Sequence, residues 1–155
     1  MSDFAFNAVH IHLLLNHFLI ILSIVGSLMI IYWFYRKNEE TIHISLFIFL
    51  AIAIISIPVF LAWVEAIGTV STLPGININA LVTHESIATI TFWLILILWF
   101  MSAVTLYVSR VNPEKNYKNW YYIVFVLSLI VVIATSLTGY YGWNIRHTEI
   151  HSVNP

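Results

Sequence analysis

The chain has 155 residues, of which 61% are hydrophobic and 8% charged. A soluble domain carries about a quarter of its residues as charges, so this chain cannot cover its own surface and lipid must be part of its solvent. Its net charge of -1 gives no broad basic surface for nucleic acid, and the absence of Cys excludes disulfides, iron–sulfur clusters, covalently attached c-type haem and thiol catalysis.

Met1-Ser2-Asp3 carries an acid and no Lys or Arg, which is the wrong start for a secretory signal peptide. The first apolar segment is therefore expected to be retained as a membrane span. A spanning helix needs roughly 20 mostly apolar residues. Four segments qualify: about His12 to Tyr35, Ile42 to Trp63, His84 to Val108, and Trp120 to Tyr141. Each is rich in Ile, Leu, Val and aromatic residues and has no charge in its interior. In lipid such a run is a helix, because a helix satisfies its own backbone. Residues 1–155 form one membrane domain on this reading.

The connections are short. Glu65 to Thr83 holds Gly68, Pro74, Gly75 and two Asn, the composition of a turn-rich surface loop. Short loops make consecutive helices antiparallel neighbours, so the expected fold is all-α: an up-down-up-down four-helix bundle. Arg36, Lys37, Arg110, Lys115 and Lys118 fall on one side and only Arg146 on the other. The positive-inside rule makes the first side cytoplasmic and places both termini on the outer, periplasmic side. Tyr32, Trp33, Tyr35, Trp120, Tyr121 and Tyr122 are expected as an inner aromatic belt, and Trp63, Tyr140, Tyr141 and Trp143 as the outer one.

The seven His are distributed unevenly. His43 stands alone at the cytoplasmic start of span two and reads as an interfacial residue. The others gather on the outer side: His10, His12 and His17 at span one, His84 at span three, His147 and His151 after span four. One interfacial imidazole is ordinary, but an imidazole within a span usually faces the bundle interior or water. On span one, His12, Asn16, Ser23, Gly26 and Ser27 share a face, and such small and polar stripes face other helices. His17 lies roughly 140° around this helix from His12, so the two serve different tasks. His84, Ala88, Thr91, Trp99 and Ser102 form a similar stripe on span three, and His147 aligns with Tyr140 and Ser136 on span four. Ordinary helix packing would also produce such stripes. Glu65 ends span two and Glu85 follows His84; either could orient an imidazole, bind a metal or accept a quinol proton, or simply be solvated.

The stretch His12-Leu13-Leu14-Leu15-Asn16-His17-Phe18-Leu19-Ile20 resembles the opening motif of a bacterial membrane family catalogued as domain of unknown function 2231, His-Pro-x-x-x-His-Phe-Pro-Ile. Gly139-Tyr140-Tyr141-Gly142-Trp143-Asn144-Ile145-Arg146-His147 resembles its closing motif, a Gly-rich turn followed by Arg-His-Gly, and His84 fits a His that begins span three. Leu13, Leu19 and Thr148 stand where that family has Pro, Pro and Gly. Some members resemble cytochrome b subunits and occur alongside c-type cytochromes. The resemblance thus implies respiratory electron transfer in a bacterial inner membrane, beside other membrane subunits.

Three functions are expected from these features. The first is a haem b protein with one or two haems, which needs an axial His and an apolar slot between helices. His17, His84 and His147 are its preferred iron ligands and His12 the fourth, with Trp63, Tyr140 and Trp143 as rings to pack on a porphyrin. Electrons would pass between a membrane quinol and an outer c-type cytochrome. The second is a cofactor-free accessory or assembly subunit of a respiratory complex. The third is a non-haem metal site of His with Glu65 or Glu85.

Overall fold

The computed structural model describes residues 8–112 and 115–145. Four helices account for most of them: α1 Ala8–Arg36, α2 Glu39–Val70, α3 Ile78–Val111 and α4 Lys118–Asn144. They hold between 27 and 34 residues. At 1.5 Å per residue they are roughly 40–50 Å long, against a hydrocarbon core of about 30 Å. All four are long and apolar enough to cross a bilayer. The chain is a multi-pass membrane protein.

The helices outrun their expected bounds, most of all around the turn-rich loop. Gly68 and Thr69 continue α2, and α3 starts a turn and a half before His84. The break is set by Pro74-Gly75, where Gly75 takes a φ of 77°. Asn77 then caps α3, its side chain accepting from the Ala80 N–H at 3.1 Å. Between α1 and α2 the chain turns within Lys37 and Asn38. Lys37 adopts a φ of 53° and donates its N–H to the Trp33 carbonyl at 2.8 Å, while Asn38 Oδ1 accepts from the Glu40 N–H at 2.8 Å.

Each helix packs on its neighbours in sequence and α4 closes the ring on α1; the α1–α2 and α3–α4 contacts are the most extensive. The molecule is therefore two helical hairpins laid face to face. Ile30, Leu46, Phe49, Ile95, Leu98 and Val124 fill the centre. Leu13, Ile54, Trp93, Phe100 and Ile133 point outward, where lipid supplies their contacts. Between helices already surrounded by hydrocarbon, hydrophobic burial contributes little, and close packing with polar bonds takes over. Within the first hairpin the Ser45 hydroxyl donates to the Gly26 carbonyl at 2.8 Å. Across α1 and α4, the Ser27 and Ser128 hydroxyls lie 2.9 Å apart and Ser23 meets Thr135 at 3.4 Å. Such bonds contribute on the order of 0.6–2 kcal/mol each.

The stripe on α1 faces inward: His12, Ser23, Gly26 and Ser27 are buried. Three other expectations need correction. Trp99 is 40% exposed, because fifteen residues carry it roughly 60° off the His84 line. On α4 the Ser136–Tyr140 face is the exposed one, and the buried face runs through Ser128, Thr135 and Thr138. Trp33, Tyr121 and Trp63, expected in the aromatic belts, are buried inside the bundle.

Gly26 marks the tightest approach. A Cβ there would stand 2.5 Å from Phe49 Cε1. Gly26→Ala should therefore destabilise the bundle by about 1–3 kcal/mol through overpacking, and Phe49→Leu in the same chain should recover part of that loss. Unfolding of the single and double variants in detergent, followed by circular dichroism, checks this; strictly additive losses would show that the contact does not exist.

Candidate functional site

The two described histidines that are fully buried meet near one end of the bundle. His12 lies a turn into α1 and His84 about a turn and a half into α3; they are 8% and 1% exposed. Their ring centroids are 6.0 Å apart and nearly perpendicular. Trp63 of α2 completes a triangle, 5.2 Å from the His12 ring and 4.6 Å from the His84 ring.

Both imidazoles are held in the same way. His12 Nδ1 lies 3.1 Å from the Val59 carbonyl of α2, and His84 Nδ1 lies 2.9 Å from the Thr138 carbonyl of α4. A carbonyl only accepts, so each Nδ1 carries the hydrogen and donates. In the neutral ring that leaves Nε2 with a lone pair. A backbone carbonyl on the far nitrogen is the usual support of a metal-bound imidazole, fixing tautomer and orientation. His84 Nε2 is buried without a protein partner, and so is Trp63 Nε1. Each anchor is internal to one hairpin, His12 on α2 and His84 on α4. The two rings therefore face each other across the hairpin interface without depending on it.

The α4 backbone reaches His84 because residue 142 is glycine. A Cβ on Gly142 would lie 3.1 Å from His84 Cε1. Thr138 is fixed in turn by its hydroxyl, 3.0 Å from that of Thr91.

The other expected site residues are placed elsewhere. His17 is exposed on α1 and its Nδ1 donates back to the Leu13 carbonyl at 2.7 Å. The imidazole that faces His84 is thus His12, the fourth choice from sequence, and not His17. His147 and His151 lie outside the described residues. Glu65 and Glu85 are exposed, and the groups that orient the rings are carbonyls rather than carboxylates. Tyr140 and Trp143 are also exposed. Trp63 was legible only as an interfacial ring. Its spacing of four from Val59 is the one sequence signal that it shares a face with the His12 anchor.

A cavity of about 40 Å³ opens beside His12, lined also by Asn16, Trp63, Thr91, Phe92 and Thr138 among others; His84 is not part of its wall. A water needs roughly 10–15 Å³ of such space, whereas small-molecule sites are on the order of 300–1,000 Å³. The two imidazoles are donors of the kind that would hold a haem iron. The cleft as packed admits water or a bare ion, and a porphyrin requires the hairpins to part at Trp63. Among the described residues, no group of three or more His, Asp or Glu is arranged to hold a metal ion.

Comparison with protein-family models, with curated proteins and with solved structures returned no match for this chain.

Two outcomes test the site. Nitrogen-15 NMR of histidine-labelled protein, assigned with single His→Ala variants, should show the His12 and His84 rings protonated at Nδ1, the minor form of free imidazole; Nε2–H tautomers for both would break the anchoring scheme. Gly142→Val should displace the His84 ring and cost about 1–3 kcal/mol by overpacking, with loss of the His84 Nδ1–H signal; an unchanged spectrum would refute the contact.

Proposed function

We propose that the chain is a membrane electron-transfer subunit in which His12 and His84 would hold a b-type haem between the two hairpins. One observation carries this reading: two buried imidazoles face one another across the hairpin interface, each fixed at Nδ1 by a carbonyl of its own hairpin. Parting the hairpins leaves both anchors intact. The group would supply one-electron transfer. The chain would supply the ligands, the apolar enclosure, and Trp63, Phe60 and Phe92 as rings lining the opening between α2 and α3. The resemblance of the first and last motifs to the bacterial family of domain of unknown function 2231 agrees with this reading.

The cations Arg36, Lys37, Arg110, Lys115 and Lys118 gather at the far end of the bundle from His12 and His84. By the positive-inside rule that end is cytoplasmic in a bacterial inner membrane. The centre then lies near the outer face, suited to pass electrons from a quinol to an outer c-type cytochrome in a larger respiratory assembly.

The cavity size favours a second reading. A single transition-metal ion fits the cavity at His12, and His84, whose ring lies 6.0 Å away, would turn in as its second ligand.

One preparation distinguishes them. Protein purified from haem-replete cells should be red, with a Soret band that moves on reduction. His12→Ala and His84→Ala should each lower haem content by more than the roughly 10–100-fold that losing an outer-shell partner costs a metal site, while His17→Ala retains it. A colourless protein that holds copper or zinc, lost with the same two variants, would establish the ion instead. A colourless, metal-free protein would refute both.

A further inference from the structure

We infer that the opposite end of the bundle holds a binding site for the phosphate headgroup of an anionic phospholipid. A cavity of about 610 Å³ opens there between the end of α1 and the starts of α2 and α4. That is within the size range of small-molecule sites, on the order of 300–1,000 Å³. Three ammonium groups line it from separate segments: Lys37 in the α1–α2 turn, Lys115 in the α3–α4 connection, and Lys118 at the start of α4. Among the described residues Glu39 is the one lining carboxylate, and its Oε2 accepts from the Tyr121 hydroxyl at 3.5 Å. The described lining therefore carries a surplus of two positive charges.

Two buried nitrogens in its lining lack partners. Trp33 is 2% exposed and its Nε1 has no protein partner. An indole N–H only donates, so what is missing is an acceptor. His43, which also lines the cavity, has a buried Nε2 without a partner. Lys37 adds a further sign. Its φ of 53° is a conformation that glycine adopts at no steric cost, yet a lysine stands there with Nζ 4.7 Å above the Trp33 ring. The turn thus fixes a cation at the mouth of the pocket.

Position selects the lipid over a free ion. The helices are longer than the hydrocarbon core, so this end reaches the headgroup layer, and Arg36 and Arg110 stand at the same level. A phosphodiester is abundant there. The rings of Trp33, Tyr117 and Tyr121 offer its glycerol an apolar wall. Basic pockets between transmembrane helices at this level are known to take such headgroups. The site is independent of the histidine pair.

The test is native mass spectrometry of the full chain given equal amounts of phosphatidylglycerol and phosphatidylcholine. Phosphatidylglycerol should be retained in preference. The Lys37→Gln/Lys118→Gln variant should lose it about fivefold for each lysine removed. Arg110→Gln, at the same level but outside the cavity lining, should leave retention unchanged. Equal retention of both lipids by the unmodified chain would overturn the site, whether or not the double variant folds. An equal loss in Arg110→Gln would reduce it to general surface attraction. Complete displacement of phosphatidylglycerol by equimolar inorganic phosphate would assign the pocket to the free ion and refute the lipid.

Discussion

A bilayer offers no hydrogen-bond partner to a polar group, so every buried donor and acceptor must find one inside the bundle. The two imidazoles are shaped by this demand. Each uses Nδ1 to reach a carbonyl of the adjacent helix, Val59 for His12 and Thr138 for His84. That arrangement leaves Nε2 without a hydrogen. For His84 the remaining nitrogen is enclosed and unpartnered. An unpaired buried acceptor costs about 1–3 kcal/mol, a loss that a ligated metal would remove. The same constraint explains why Ser and Thr on the helices bond back to carbonyls a turn earlier, as Ser27 does to Ser23 and Thr135 to Val131.

The hairpin is the unit on which this site depends. Gly26 lets α1 close on Phe49 of α2, and Gly142 lets α4 close on the His84 ring. Both glycines act by lacking a Cβ. Each hairpin thereby presents one oriented imidazole, and their meeting creates the site. The α1–α4 bonds of Ser23 and Ser27 hold the hairpins together further along the bundle. At the histidine end the hairpins meet instead through packed side chains, Trp63 of α2 against Leu81 of α3 and Ile145. Opening there leaves the hydroxyl contacts in place.

Much of the architecture was legible because the bilayer demands long apolar runs. Four spans in the right order come from that alone, as does the inward face of His12, Ser23, Gly26 and Ser27. The pairing was less visible. His12 and His17 are both imidazoles in one motif, and only helical phase separates the buried ring from the exposed one. The carbonyl anchors are backbone groups and leave no residue signature. Trp63 and Trp33 were expected at the lipid interface, since composition does not distinguish an interfacial indole from one drawn between helices. The loop from Glu65 to Thr83 shrank for a similar reason: Gly68 weakens a helix without ending one. The cavity at the lysine end arises from three chain segments far apart in sequence, which no local pattern encodes.

The two ends of the bundle thus differ in kind, one enclosing neutral imidazole chemistry and the other gathering cations around a polar opening. What the histidine end does rests on whether His12 and His84 both bind one iron. Electron paramagnetic resonance of the oxidised protein addresses this directly. The account predicts a low-spin ferric signal of two axial imidazoles, converted to high spin when either His12 or His84 is replaced. A high-spin signal in the unmodified protein, or a low-spin signal that survives both replacements, would contradict it.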